Sequence, residues 1–140
     1  MTEKYKILAK FIKDMSSETK DIETYLNVKE HLHNYQLGLD INSRALKNKI
    51  IEVNTNLRFE NKQELKKKSH FELTYTTIIK IDENIKEKKE LEKILLCDLQ
   101  IKIYPDLEKS LLNLLHNSGY TEVKFDKKID FEKLYNNRNN

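Results

Sequence analysis

Few residues in this chain have the type and spacing that chemistry demands. His31 and His33 stand two apart, which on a strand would put two imidazoles on one face as paired metal ligands. A closed site needs a further His or Cys pair. None accompanies them, so they read as two exposed loop histidines. Cys97 and His116 offer a thiol and a base, but nothing supplies the third group that orients the base, and Cys97 reads as a partly buried structural cysteine. Lys66, Lys67 and Lys68 could meet phosphates. No aromatic pattern for base stacking surrounds them, so a solvated tip between two strands is the simpler reading and no nucleic-acid partner is expected. The glycines number 2, Gly38 and Gly119, too few for a phosphate-cradling loop. No catalytic constellation assembles, and no cofactor is implied. The remaining function class is a surface that binds something.

The surface rests on a long alternating stretch. Ile51, Val53, Thr55, Leu57 and Phe59 alternate with Glu52, Asn54, Asn56, Arg58 and Glu60. After a lysine-rich link, Phe71, Leu73, Tyr75, Thr77, Ile79 and Ile81 alternate with Glu72, Thr74, Thr76, Ile78 and Lys80. A period of two predicts strands, here an antiparallel hairpin with one apolar face. Tyr35, Leu37, Leu39 and Ile41 repeat the pattern, and residues 5–14 carry apolar residues on both faces. Residues 16–32 are polar and read as a loop with a helical turn. Four strands joined by short links after the second and third suggest an antiparallel meander.

The chain then turns helical. Residues 82–97 carry alternating charges and a narrow stripe of Leu91, Ile94 and Leu95, with Asp82 or Asn84 as cap. Residues 98–103 read as a connector. Pro105 suits the first position of a main helix bearing Leu107, Leu111, Leu114 and Leu115, and Gly119 suits its left-handed stop. Asp130 can cap a last short helix with Phe131, Leu134 and Tyr135. Residues 136–140 read as a frayed tail. The helices are the natural cover for the apolar sheet face. Tyr35, Leu37, Leu39, Phe71, Leu73 and Tyr75 exceed what one helix easily buries. They are either core or partly the lining of a groove for apolar peptide.

At 140 residues the chain is expected to form one domain, 1–140. Charged residues make up 35%, yet the net charge is only +3, which argues against a dedicated polyanion binder. A lone cysteine fits a reducing compartment, and no apolar run has the length of a membrane span or of a signal peptide core. A cytoplasmic protein that does not insert into membranes is expected.

The order of short motifs resembles the SecB family of bacterial protein-export chaperones. Those motifs are Leu95-Leu96-Cys97-Asp98, Ile103-Tyr104-Pro105, Gly119-Tyr120 and Ile129-Asp130-Phe131-Glu132-Lys133-Leu134-Tyr135. Earlier, Lys13-Asp14 with Ser16 and Glu18, Asn42-Ser43-Arg44-Ala45-Leu46 before Ile51-Glu52-Val53, and Phe71-Glu72-Leu73-Thr74-Tyr75 look like the family's strand segments. The resemblance runs from about Tyr5 to Tyr135. It implies an α+β fold, a four-stranded antiparallel sheet with helices on one face, assembled as a homotetramer (a dimer of dimers). It implies no enzyme activity. Such proteins hold unfolded preproteins in the cytoplasm and deliver them to the SecA motor. Carried over by position, SecA would meet Asp14, Glu18 and Glu72, and the client would meet Tyr35, Leu37, Leu39, Phe71, Leu73 and Tyr75. A SecB-like chaperone devoted to one antitoxin is a narrower alternative. A small nucleic-acid-binding module using Lys66 to Lys68 is one from another class.

The chain also departs from the family pattern. Thr76 and Thr77 stand where small residues are usual, and Asp106 and Glu108 follow Pro105. The balance is slightly basic, and the short tail after Tyr135 contains no carboxylate side chain.

Overall fold

The computed structural model describes residues 3–61, 68–126 and 128–138. Two strands at its centre, β3 (Ile50–Asn61) and β4 (His70–Ile81), pair antiparallel, with Leu57 opposite Leu73 and Phe59 opposite Phe71. Residues opposite one another in such a pair share a face. The alternation therefore makes one buried face, from Ile51, Val53, Thr55, Leu57 and Phe59 on one strand and Phe71 to Ile81 on the other. Fully burying each large aliphatic or aromatic side chain there contributes about 1.5–3 kcal/mol. The link's Lys66 and Lys67 lie outside the described residues.

β2 (Tyr35–Ala45) pairs with β3, and β1 (Tyr5–Glu18) pairs with β4, giving the order β1-β4-β3-β2. The expected simple meander is thus correct only for β2, β3 and β4. The segment between β1 and β2 is long enough to carry the chain from one edge of the sheet to the other, a Greek-key arrangement. That segment is not the loop expected from its polarity. Asp21 Oδ1 accepts the Thr24 N–H at 2.8 Å and starts α1 (Ile22–Glu30), whose Val28 and Thr24 are buried. A short 3₁₀ turn, Leu32–Asn34, leads into β2.

β1 continues four residues beyond the expected end at Asp14, and its register shifts between Ile7 and Ala9 and between Ile12 and Asp14. These bulges reassign faces. Ile7 lies opposite Ile79 on the helix side, whereas Ala9 and Phe11 lie opposite Ile78 and Thr76 on the outer side.

The helical region holds the second correction. α2 (Lys88–Lys93), a π turn (Ile94–Asp98) and α3 (Leu99–Asn117) run on without a break, so the expected connector is helix and Pro105 lies inside it. Buried positions step by five from Ile94 to Leu99 and then by four through Ile103, Leu107, Leu111 and Leu115. The single step of five is the π turn, and it is what made the spacing look interrupted. Pro105 is exposed, so the Ile101 carbonyl that it leaves without an N–H lies on the solvent side. Buried Gln100 ties the π turn to the sheet. It accepts a bond from Thr55 Oγ1 at 3.0 Å and donates to the Leu95 carbonyl at 3.1 Å.

The end of α3 follows the sequence. Gly119 has φ +102, its N–H reaches the His116 carbonyl, and the Tyr120 N–H reaches the Leu115 carbonyl, a Schellman stop. Tyr25 of α1 closes over it, donating its hydroxyl to the Gly119 carbonyl at 2.7 Å and stacking on Tyr120. Asp130 Oδ1 accepts the Lys133 N–H at 3.1 Å and caps α4 (Phe131–Arg138), so Asn136 to Arg138 are helical where a frayed tail was expected. Asn139 and Asn140 of that tail lie outside the described residues. The buried apolar residues form a single cluster, enclosed between one face of the sheet and the segments α1, α3, 120–125 and α4.

Candidate interaction surfaces

The residues singled out for chemistry are occupied structurally. His31 Nδ1 donates to the Asn27 carbonyl at 2.7 Å at the end of α1, while His33 is exposed. No group of three or more His, Cys, Asp or Glu suited to a metal occurs among the described residues. Cys97 is fully buried, and burial pushes its thiol pKa up, away from nucleophile character. His116 lies on the same helical run, nineteen residues on at about 1.5 Å each, far out of reach of the thiol. Its Nε2 is engaged by the Val123 carbonyl at 2.9 Å.

The outer face of the sheet, opposite the helices, is largely polar, and its acidic groups gather toward the end nearer α1. The register sets Asp14 opposite Thr74, Ser16 opposite Glu72 and Glu18 opposite His70. The three carboxylates therefore share this face, with Glu72 diagonal to the other two. Glu52 and Glu60 of β3 and Asp40 of β2 join them. The cations on this face are Arg44, Arg58, Lys80 and Lys6, with Lys13 close to Glu52. All but Arg58 lie toward the Glu52 end, so the carboxylate excess is local to the end that carries Asp14, Glu18, Glu72, Glu60 and Asp40.

Glu72 is the most firmly held of the three. Asn56 Nδ2 donates to its Oε1 at 2.7 Å, and His70 Nε2 to its Oε2 at 2.8 Å. The Asn56 hydrogen bond, helped by His70 and Arg58, keeps the carboxyl below the ordinary glutamate value despite partial burial. The Asn56 amide is itself oriented by Arg58 Nη1, which donates to its oxygen at 2.8 Å. Arg58 also pairs with Asp40 and Glu60. A second row crosses the face: Thr76 Oγ1 donates to Asn54 Oδ1 at 2.7 Å, and Asn54 Nδ2 to Asn42 Oδ1 at 3.2 Å. These rows lock side chains that would otherwise flex, and they leave Asp14 and Glu18 projecting into solvent.

The apolar set divides. Phe71, Leu73 and Tyr75 are buried at 1%, 0% and 7% exposure, and Tyr35 at 7%. In this conformation Phe71, Leu73 and Tyr75 lie inside the core, since α3 and Tyr120 cover the β4 face, and they do not line an open groove. Leu37 and Leu39 are half-buried on β2, the free edge strand. A cleft of about 330 Å³ opens at one end of that strand, between Leu32, Tyr35, Phe59 and Val123. At the other end a cleft of about 220 Å³ includes Ile41, Leu95 and Leu96.

Other exposed apolar residues escaped the sequence reading. Phe11, Ile12 and Met15 of edge strand β1 are 48%, 43% and 46% exposed, and Ile22 and Leu26 of α1 more so. The i, i+4 spacing of Ile22 and Leu26 is the signal that could have found the second group. The bulges hid the first.

Comparison with known proteins adds the family. The model of the family described as preprotein translocase subunit SecB matches residues 1–140. A SecB relative from Pelagibacter ubique (strain HTCC1062), whose own export role is named provisionally, is 60% identical over 140 residues, covering 100% of both chains. The protein-export protein SecB of Rickettsia bellii (strain OSU 85-389) is 28% identical over 131 residues, 93% of this chain and 84% of that one. In three dimensions the chain resembles a SecB-like chaperone of Mycobacterium tuberculosis, solved in complex with a ChAD peptide from an antitoxin. The TM-score is 0.65 with 11% identity over 90% of this chain and 91% of the other, a likeness of fold.

Proposed function

The chain belongs to the SecB family of protein-export chaperones, a family of chaperones and not of enzymes, and on that premise we propose that it holds unfolded preproteins and delivers them to SecA. One observation carries the delivery step: the β1–β4 register gathers Asp14, Glu18 and Glu72 on one polar sheet face. A basic motor surface meeting that face is recruited by charge, which governs encounter rate and specificity more than total burial. Client capture falls to the other side. Apolar burial at about 25 cal/mol per Å² needs no sequence code, and Leu37 and Leu39, with the adjoining cleft whose wall includes the buried Tyr35, offer such surface along β2. Phe71, Leu73 and Tyr75 support that wall from beneath. The exposed Phe11, Ile12 and Met15 lie on an unpaired edge, which favours a seam between copies within a homotetramer. Among the described residues no helix is long and apolar enough to cross a membrane. The proposed setting is the cytoplasm, with residues 1–140 acting as one domain.

The test is co-migration with denatured precursor diluted into the purified protein. The expected result is one complex with unfolded precursor and none with the same precursor folded. Failure to capture any unfolded chain refutes the proposal.

A further inference from the structure

At the end of the sheet remote from the α1 crossover, the β2–β3 turn, the end of β4 and the start of α2 enclose a cavity of about 360 Å³. Leu46, Ile50, Ile81, Ile85 and Leu91 make it apolar. Its rim carries Lys49, Lys86 and Lys88, all exposed, against one carboxylate, Glu87. Lys49 Nζ is held at the mouth by a bond to the Glu83 carbonyl at 3.2 Å, a neutral acceptor. Asn48 and Lys49 both have positive φ, 61° and 62°. Asparagine tolerates this region, but lysine is strained there and glycine would not be. The position is fixed by its surroundings: the Leu46 N–H bonds the Ile50 carbonyl, and the Ile81 N–H bonds the Lys49 carbonyl. Two successive positive-φ residues are what a tight hairpin turn requires, here closed by the Ile50 N–H on the Lys47 carbonyl at 3.3 Å, and the turn fixes Lys49 at the mouth.

We propose that this cavity is a peptide subsite that takes an apolar side chain flanked by carboxylates, from an extended acidic stretch of a bound client. The inference rests on the chaperone reading above and deepens it. Ala45, the last residue of β2, lines the cavity. An extended segment of about ten residues at ~3.3 Å each spans β2 from the Tyr35 cleft to the lysine rim. The rim gives an otherwise codeless groove a charge preference and a direction.

The test uses the full chain and two labelled synthetic peptides with the same apolar residues, one flanked by Asp and one by Lys, read by fluorescence anisotropy. The Asp-flanked peptide is expected to bind more tightly at low salt, with the preference shrinking at about 0.15 M, where the screening length is ~8 Å. Lys49→Gly removes one rim charge while relieving the turn. It should weaken the Asp-flanked peptide about threefold, the size of one screened pair, and leave the melting temperature unchanged or raised. Lys49→Gly with Lys86→Ser and Lys88→Ser should abolish the preference without weakening the Lys-flanked peptide. Equal affinity for both peptides, or an unchanged preference in the triple variant, overturns the inference while precursor capture still stands. Laurate binding that depends on Lys49 while neither peptide's binding does would assign the cavity to a free amphiphile and also overturn it. Loss of all precursor capture by the unaltered chain would instead refute the chaperone reading.

Discussion

Replacing Asp14, Glu18 and Glu72 together by alanine removes three of the six carboxylates that the register gathers on the outer sheet face. The sheet should survive. Asn56 keeps its bond to Thr74 Oγ1 at 3.0 Å and its bond from Arg58, and His70 is solvent-exposed. Asp14 and Glu18 project freely, so each interacts with a partner cation through solvent and contributes roughly 0.2–1 kcal/mol. Glu72, held at 29% side-chain exposure, belongs toward the top of that range. The three together amount to roughly 1–3 kcal/mol, or about 5- to 150-fold in Kd. Most of the loss should appear in the association rate, because the charges act before contact. Binding to SecA measured by biolayer interferometry, at low salt and at about 0.15 M, reads both numbers. The parent should lose affinity steeply with salt and the triple variant much less, while capture of unfolded precursor is unchanged. A change under twofold, or one independent of salt, refutes the argument that this face docks by charge. Lost client capture with intact SecA binding would show that the two faces are assigned the wrong way round.

Four further outcomes test other parts of the structure. Light scattering at micromolar concentration should give four times the 16.8 kDa chain mass, and a monomer would remove the seam along β1. Gly119→Ala should destabilise by about 2–4 kcal/mol in urea denaturation, because φ is +102 and the new Cβ would lie 2.6 Å from Tyr25 Cε1. Tyr104→Phe should raise stability by ~1 kcal/mol, since the buried hydroxyl has no partner among the described residues. Burial pushes that phenol up to about 12, so the parent should also lose stability as pH rises from 10 to about 12, and Tyr104→Phe should lose less, the remainder coming from Tyr5, Tyr35 and Tyr75, which burial also raises. The Glu72 carboxyl is lowered below 4.5, so it contributes stability above that pH and loses it as pH falls further. Glu72→Gln should flatten the acid limb of a stability–pH profile, and an unchanged limb would deny the Asn56 bond its role.

The sheet was legible wherever period two ran unbroken, as in β3 and β4, because one buried face leaves a single workable register. β1 was harder. Its bulges exchange faces mid-strand, so Ala9 and Phe11, which alternate with Ile7 in phase, emerge on the opposite side from it. The α1 segment was missed because its buried contribution is small, Thr24 and Val28, and Asp21 declares itself as a cap only once the helix is known. Strand order depends on where a long connection crosses, which local pattern does not encode. The carboxylates Asp14, Glu18 and Glu72 were placed by resemblance alone. Their common face is a product of the β1–β4 pairing, a non-local fact. Tyr35, Leu37, Leu39, Phe71, Leu73 and Tyr75 look alike in sequence. Position in the sheet separates them, central under α3 for the last three and at the free edge for Leu37 and Leu39.

The π turn at Ile94–Asp98 has a consequence for how the chain tolerates changes in length. A helix that spends one extra residue in a turn carries two phases, one on each side of it, about 100° apart. Deleting any one residue between Ile94 and Asp98 would restore an even hydrogen-bond ladder and improve the helix as a helix. It would also rotate everything upstream by that angle, turning Leu91 off the core and withdrawing the Lys89 carbonyl from the Tyr135 hydroxyl that meets it at 3.3 Å. Gln100 would lose its grip on the Leu95 carbonyl, leaving a fully buried amide half satisfied. The irregular ladder works as a reading-frame correction between the strap that leaves β4 and the long helix that roofs the sheet. An indel here would be tolerated only alongside a compensating one upstream.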